Sequence, residues 1–372
     1  MNTTAAQTPE LPDQTRTVEG VLRSSTGDGV LLRECWYYAL PSHALKARST
    51  VHRTLLGEPV LLGRDADGKV FALRDTCPHR GTLLSKGTFD GREVQCPYHG
   101  WRFRTDGQCA DIPSQLADYK PQAADIRAQS YRLAERDGNV WIYIGAKKDN
   151  LPPVPHVPAT GARFQLHESM IFACNIDVAV SGLMDPAHGA FVHRSALWRA
   201  ADSIYEKQKA FSPLPEDEGM GWRMDRHLAS RNSKAYRLFL GGAPETEISY
   251  RIPATRIEHA QTKRFNYCGL TSCTPITADR TEVHHVMYWD VAGGALLRPL
   301  VRVLTRRFLD QDRRAVMSMQ EGLDFNPATM LIQDADTQTR WYFRLKREVL
   351  AAQAEGRPPR NPLMPVMLRW CS

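Results

Sequence analysis

Cys77-Pro78-His79-Arg80-Gly81 and Cys96-Pro97-Tyr98-His99-Gly100-Trp101 form one pattern, C-x-H-x16-C-x-x-H. Each stretch offers one thiol and one imidazole. Pro78, Gly81, Pro97 and Gly100 supply the fixed φ and the backbone freedom that two tight, facing loops require. Two thiolates and two imidazoles suit a [2Fe–2S] cluster, with Cys77 and Cys96 on one iron and His79 and His99 on the other. Replacing two thiolates by neutral ligands raises the potential to roughly −150 to +300 mV, against about −400 mV for an all-cysteine plant-type cluster. The competing chemistry is structural zinc on Cys₂His₂. Zinc sites usually pair like ligands, C-x-x-C followed by H-x-H, whereas here each loop mixes the two. The last alternative is four ligand-type residues placed by chance with no metal.

The surroundings of these loops read as short antiparallel strands. Val60-Leu61-Leu62-Gly63-Arg64, a turn at Asp65-Ala66-Asp67-Gly68 and Val70-Phe71-Ala72-Leu73 form a hairpin signal. Trp101-Arg102-Phe103-Arg104, a turn at Thr105-Asp106-Gly107, and Val140-Trp141-Ile142-Tyr143-Ile144 continue it. A small all-β domain is expected from about residue 34 to 149. Residues 1–33, with a Thr-, Gln- and Pro-rich start, are expected to be a flexible arm. Met1–Gln14 lacks both a basic and an apolar region, so no signal peptide is read there.

The chain has 372 residues, enough for two domains, and its 42% hydrophobic content argues against disorder. No stretch approaches the roughly 18 apolar residues of a membrane span; the best, Ala295 to Leu304, is broken by Arg298 and Arg302. A cytoplasmic protein is expected, with no membrane partner. The formal charge of +7 comes from scattered residues rather than a basic stripe. That speaks against nucleic acid and suits docking of an acidic redox partner. Eight cysteines make no disulfide framework at this length. Cys35, Cys109, Cys174, Cys268 and Cys273 are read as small buried apolar residues.

Four prolines between residues 150 and 158 mark an interdomain linker. Beyond it, strand-like runs at 248–252, 266–271 and 282–289 suggest a larger sheet, and two helices, about 299–322 and 335–354, follow. The run Asp185-Pro186-Ala187-His188-Gly189-Ala190-Phe191-Val192-His193 is a D-x-x-H-x4-H pattern. Two histidines five apart lie about 140° from each other on an ideal helix, so both reach one metal only if the helix distorts, with Gly189 the place for it. By itself the pair reads equally as one core and one surface histidine.

A third ligand is sought by helical phase. In the 299–322 helix, Val301, Phe308, Val316, Met319 and Leu323 share one face, and Asp312 sits on it. Asp310 lies about 200° round, among Arg306, Arg307, Arg313 and Arg314, and reads as a solvated ion-pair partner. A carboxylate on an apolar face is costly unless paired or metal-bound, which favours Asp312. Asp334 and Asp336 are read as N-terminal caps of the last helix. His284 and His285 alternate across a strand, so one of them at most faces a pocket.

The two loops resemble those of the Rieske non-heme iron oxygenases, specifically their catalytic α subunits, and the likeness runs from about Trp36 to Ala354. It implies an α+β chain: an N-terminal all-β Rieske [2Fe–2S] domain, then a helix-grip-like catalytic domain, here 150–372, built on an antiparallel sheet. It implies that His188, His193 and Asp312 hold Fe(II), leaving positions for O₂ and a small organic substrate. It implies that Asp185 bridges His99 of a neighbouring subunit and His188, hence a homotrimer. Many relatives read Val-Glu-Asn-Leu-Met-Asp where this chain has Val180-Ser181-Gly182-Leu183-Met184-Asp185. The change removes an amide near iron, which Asn175 is positioned to replace.

The expectation is a terminal oxygenase, supplied with electrons by a ferredoxin or flavin reductase, that hydroxylates or oxidatively demethylates a mid-sized apolar or aromatic compound. Dihydroxylation and desaturation or oxidative cyclisation use the same metals and stay open. So do a Rieske electron carrier and a zinc-stabilised adaptor. The tail from 356 to 372 carries no readable role.

Overall fold

The computed structural model describes residues 30–116, 125–158, 161–193, 204–229, 242–291 and 293–372. Of the expected flexible arm, residues 1–29 lie outside these. Its end belongs to the core: Leu32 is 3% exposed, its carbonyl accepts from Tyr37 Oη at 2.6 Å, and the Arg33 carbonyl accepts from Gln353 Nε2. Leu32 and Arg33 are therefore not part of a flexible arm.

The first half holds two antiparallel sheets. A six-stranded sheet runs in the order β1 (Cys35–Pro41), β10 (Asn139–Ile144), β9 (Ser130–Arg136), β4 (Val70–Arg74), β3 (Glu58–Arg64), β2 (Ser49–Leu55). The expected hairpin is β3–β4, closed at Arg64↔Val70. A four-stranded sheet, β5 (Thr88–Phe89), β6 (Glu93–Gln95), β7 (Arg102–Arg104) and β8 (Cys109–Asp111), carries the two Cys–His loops at its end.

The second half is one eight-stranded antiparallel sheet, ordered β11 (Arg163–Phe172), β17 (Arg280–Trp289), β16 (Asn266–Thr277), β15 (Thr255–Gln261), β14 (Glu245–Arg251), β13 (Gly221–Leu228), β12 (Glu206–Pro213), β18 (Val366–Cys371). Among the described residues, one face receives four helices: α1 (Ile176–Met184), the single turn α2 (Gly189–Val192), α3 (Arg298–Leu323) and α4 (Thr337–Ala354). The tail is thus structural, since β18 pairs along β12 and buries Leu368 and Trp370.

The other face lies on the six-stranded sheet. Trp36, Tyr38, Trp141 and Tyr143 meet Ile257, Cys268, Leu270, Val286 and Tyr288 there. Full burial of a side chain such as Leu270 or Val286 contributes roughly 1.5–3 kcal/mol, so this seam is a real core. The proline-rich segment has neither helix nor strand, yet it is no free tether. Trp36 Nε1 donates to the Pro152 carbonyl at 2.8 Å, the Asp137 carboxylate accepts from the Val157 amide, and Val157 is buried in the seam. Proline content removes helix and strand; it does not remove apolar contact.

Helix α3 buries Thr305, Leu309, Asp312, Val316, Gln320 and Leu323, the three-and-four spacing of one helical stripe. Asp310 is paired with Arg313 and Arg314. Asp336 occupies the N-cap position of α4, but its carboxylate accepts from the Ile332 amide rather than from the helix. Asp334 accepts from the Arg369 amide. The two aspartates order the approach to α4 and its contact with β18, and neither caps it through its side chain.

Candidate functional site

The Cys–His loops repeat one backbone solution. In each, the cysteine amide donates to the carbonyl five residues on (Cys77 to Thr82, Cys96 to Trp101), and the glycine amide donates back to the cysteine carbonyl (Gly81 to Cys77, Gly100 to Cys96). Both glycines sit at φ near +75° (75° and 73°), where a Cβ is strained. Cys77 and Cys96 are free, buried thiols. Burial pushes the Cys77 thiol up to about 11, with Cys96 adding to the shift. The His79 and His99 rings lie 4.6 Å apart, and His79 stacks flat on Trp101 at 4.7 Å.

His99 Nδ1 is buried without a hydrogen-bond partner. Two buried thiols beside two converging imidazoles, one with an orphaned nitrogen, fit a mixed-ligand cluster. Alternatives that leave this nitrogen empty carry the cost of an unmet buried polar atom.

The second centre is assembled from α2 and α3. His188 and His193 bracket the single turn of α2: His188 is its N-cap with α-region torsions, and His193 leaves the helix at φ −91°, ψ 63°. The five-residue spacing works because the helix lasts one turn, not because a longer helix bends at Gly189. His188 Nε2 lies 3.3 Å from His193 Nε2. Asp312 Oδ1 is 3.5 Å from the first and 3.2 Å from the second. These three donor atoms form the one His/Cys/Asp/Glu group of metal-binding geometry found among the described residues.

The outer nitrogens define the tautomers. His188 Nδ1 donates to the main-chain carbonyl of Asp185 at 2.6 Å, and His193 Nδ1 donates to Gln311 Oε1 at 3.1 Å. Both Nε2 lone pairs therefore point inward with the Asp312 carboxylate. Lone pairs converging on an anion with no proton between them are unfavourable unless a cation sits among them, and two imidazoles with one carboxylate suit a divalent iron. Burial alone would raise the Asp312 carboxyl, but the facing His188 and His193 rings bring it below its usual range. His188 is the mirror case: burial opposes its charge, and Asp312 outweighs burial and raises it. Phe308 stacks on His193 at 3.8 Å and walls that side.

Asp185 meets His188 through its main chain. Its Oδ1 accepts from the Ala187 amide at 2.6 Å, and its second oxygen takes no bond among the described residues. Burial holds its carboxyl above the usual range. The Asn175 side chain caps α1, its Oδ1 accepting from the Val178 amide at 2.9 Å. The amide beside the centre is Gln311. Gly182 has a packing reason instead: a Cβ there would lie 2.5 Å from Val316 Cγ2. Of the paired histidines, His284 turns to the six-stranded sheet, its ring 4.7 Å from Tyr38, and His285 turns to the helices.

Comparison with known proteins places this geometry among relatives. Residues 35–127 match the Rieske [2Fe-2S] domain and 172–351 the vanillate O-demethylase oxygenase C-terminal domain. Chlorophyllide a oxygenase of Chlamydomonas reinhardtii is 33% identical over 353 residues, covering 89% of this chain and 51% of that protein. The iron-sulfur subunit of the toluene-4-sulfonate monooxygenase system of Comamonas testosteroni is 36% identical over 173 residues, 45% of this chain and 48% of its own. The chain thus spans about half the length of these curated relatives. Crystalline dicamba monooxygenase bound to dicamba shares the fold, with a TM-score of 0.70 at 22% identity over 87% of this chain and 98% of that one.

Proposed function

Because the chain belongs to the Rieske non-heme iron oxygenases, as a catalytic subunit, we propose that it is the terminal oxygenase of a multicomponent system acting on a mid-sized organic substrate by hydroxylation or oxidative demethylation. The observation that carries this reading is the meeting of His188 Nε2, His193 Nε2 and Asp312 Oδ1 within 3.5 Å of one another on a chain that also bears the Cys–His loops. An electron carrier has no use for that triad.

When bound, the cluster on Cys77, His79, Cys96 and His99 would supply single electrons, and Fe(II) on His188, His193 and Asp312 would supply open positions for O₂. The chain's own part is to hold these donors. The Asp185 carbonyl and Gln311 keep a proton on each outer Nδ1, so each Nε2 stays available to metal. Asp312, buried and held ionised by the two histidines, contributes the negative charge a divalent ion needs. Phe308 keeps the His193 ring from turning and closes its face to water.

The reading extends to partners. A ferredoxin or flavin reductase delivers the electrons, the mildly basic surface steering an acidic donor. Three copies assemble so that His99 of one faces Asp185 of the next. Support comes from the Asp185 carboxylate, half desolvated and with one oxygen unbonded, ready for an imidazole N–H. We place the protein in the cytoplasm, and divide the chain near residue 150.

The test is oxygen consumption driven by a reductase–ferredoxin pair with an aromatic methoxy or methyl substrate panel under ¹⁸O₂. The holoprotein incorporates ¹⁸O or releases the demethylated product, and His188→Ala does neither while keeping the visible spectrum of the cluster. Equal turnover by His188→Ala overturns the reading.

A further inference from the structure

Asp75 stands two residues before Cys77 and is wholly buried, with 0% exposure. A buried carboxylate is usually matched by a lysine or arginine. Among the described residues neither type lies within salt-bridge distance of Asp75, and the adjacent Arg74 turns to Glu58 instead. Its partners are of another kind. Oδ1 accepts from the Ser85 amide at 2.6 Å, and Oδ2 meets His52 Nδ1 at 2.6 Å.

The first contact closes a cluster loop at its base. Asp75 and Ser85, ten residues apart, flank the stretch that carries Cys77 and His79. The Asp75 amide donates to the Pro59 carbonyl at 2.8 Å, which pins the same residue to β3. Leu84, beside Ser85, packs in one core with Cys77 and Cys96. The second contact comes from outside the loop. His52 lies on β2, the last strand of the six-stranded sheet, and its side chain is 42% exposed. The imidazole thus stands between solvent and a carboxylate that water does not reach.

A carboxylate only accepts, so His52 Nδ1 carries the proton and donates. Chain geometry keeps the Cα atoms of Asp75 and Cys77 within about 7 Å of each other. At that range, and away from water, a negative charge acts on the cluster with little screening. One electron from the donor protein adds a further negative charge to the cluster, which an unrelieved Asp75 carboxylate opposes. Potentials of such clusters follow local charge and hydrogen bonding. The His52 N–H sets its positive end against the carboxylate and so eases that electron's arrival.

We propose that His52 is a positioning residue for electron entry: acting through Asp75, it raises the reduction potential of the cluster on Cys77, His79, Cys96 and His99. The proposal rests on the cluster alone and stands apart from the reading of the substrate. A contact that merely fastened β2 to the loop would change stability and leave the potential where it is.

The experiment is spectroelectrochemical titration of the purified holoprotein at one fixed pH. His52→Leu keeps the carboxylate dry and removes its donor. The ratio of reduced to oxidised cluster at a fixed applied potential is then expected to fall about 3- to 10-fold, a shift of about 30–60 mV to lower potential. His52→Gln, which keeps an N–H donor, is expected to stay within about two-fold of the wild type. Asp75→Asn removes the charge, so adding His52→Leu to it is expected to change the ratio by less than about two-fold. The visible and electron paramagnetic resonance spectra of His52→Leu are expected to match the wild type, because the ligands stay in place. His52→Met serves where His52→Leu folds poorly. An unshifted potential in His52→Leu, an equal shift in His52→Gln, a shift that persists beside Asp75→Asn, or spectra that show a disturbed ligand set overturns the proposal. If Asp75→Asn binds no cluster, the comparison of Leu with Gln decides. Failure of the cluster reading is seen separately, as a holoprotein without visible absorption.

Discussion

Gln311 Oε1 accepts a hydrogen bond from His193 Nδ1 at 3.1 Å, and the next residue, Asp312, is itself part of the triad. One stretch of α3 thus provides a donor atom and the group that orients another. Gln311→Leu is expected to weaken Fe(II) or Co(II) binding at the triad by about 10- to 100-fold, the usual cost of losing a partner to a ligand histidine. Gln311→Glu, which keeps the acceptor, is expected to retain tight binding. Equilibrium dialysis and the Co(II) ligand-field spectrum of the three proteins check this.

The close approach of α1 to α3 gives a stability prediction. A Cβ at position 182 would meet Val316 Cγ2 at 2.5 Å, one helical turn beyond Asp312. Gly182→Ala is expected to cost about 1–3 kcal/mol as overpacking. Gly182→Ala with Val316→Ala is expected to recover part of it. Thermal unfolding of the single and double variants measures both.

The cluster loops depend on their glycines. Gly81→Ala and Gly100→Ala each force a Cβ into the left-handed region, at about 1–2 kcal/mol apiece. Because each glycine amide also closes its loop onto the cysteine carbonyl, the visible absorption of the cluster is expected to fall in both variants. The helical signal in circular dichroism is expected to stay.

The acid limb of stability is expected to run through the seam between the sheets. His167 Nε2 and His284 Nδ1 lie 3.2 Å apart there, with His167 stacked on Tyr38 and His284 tilted against it. His167 is pushed to about 3 by burial and then by His284, with Glu282 opposing; His284 is pushed to about 3 by burial and then by Arg53. A histidine depressed on folding is neutral in the native state and takes its proton in the unfolded one. Its contribution is complete above the unfolded value near 6.5 and falls by up to about 1.4 kcal/mol per pH unit as pH drops toward 3. Denaturant unfolding at pH 7, 6, 5 and 4 is expected to show that slope, and His167→Gln is expected to flatten it.

Features that a few neighbouring residues determine were legible in the sequence. The cluster loops are such a case, since ligand spacing and glycine torsions sit within a few positions of each other. Asp312 was legible by phase because α3 is long and regular, and the same regularity separated it from Asp310. What escaped depends on distant partners. Gln311 differs from its helix neighbours only by meeting a ring presented from α2. The proline-rich segment looked like a tether because composition does not reveal Trp36 reaching the Pro152 carbonyl. The tail was unreadable because its strand partner, β12, lies far back in the chain. Asp334 and Asp336 had the residue type of caps, yet the amides of Arg369 and Ile332 claimed their carboxylates.

The most direct test of the whole account is the metal content of the purified holoprotein beside Asp312→Ala. The expected result is about three irons and about two acid-labile sulfides per chain in the wild type, falling to about two irons with unchanged sulfide in the variant. A wild type that never exceeds two irons, or an Asp312→Ala protein that keeps the third, would contradict a two-centre oxygenase built on His188, His193 and Asp312.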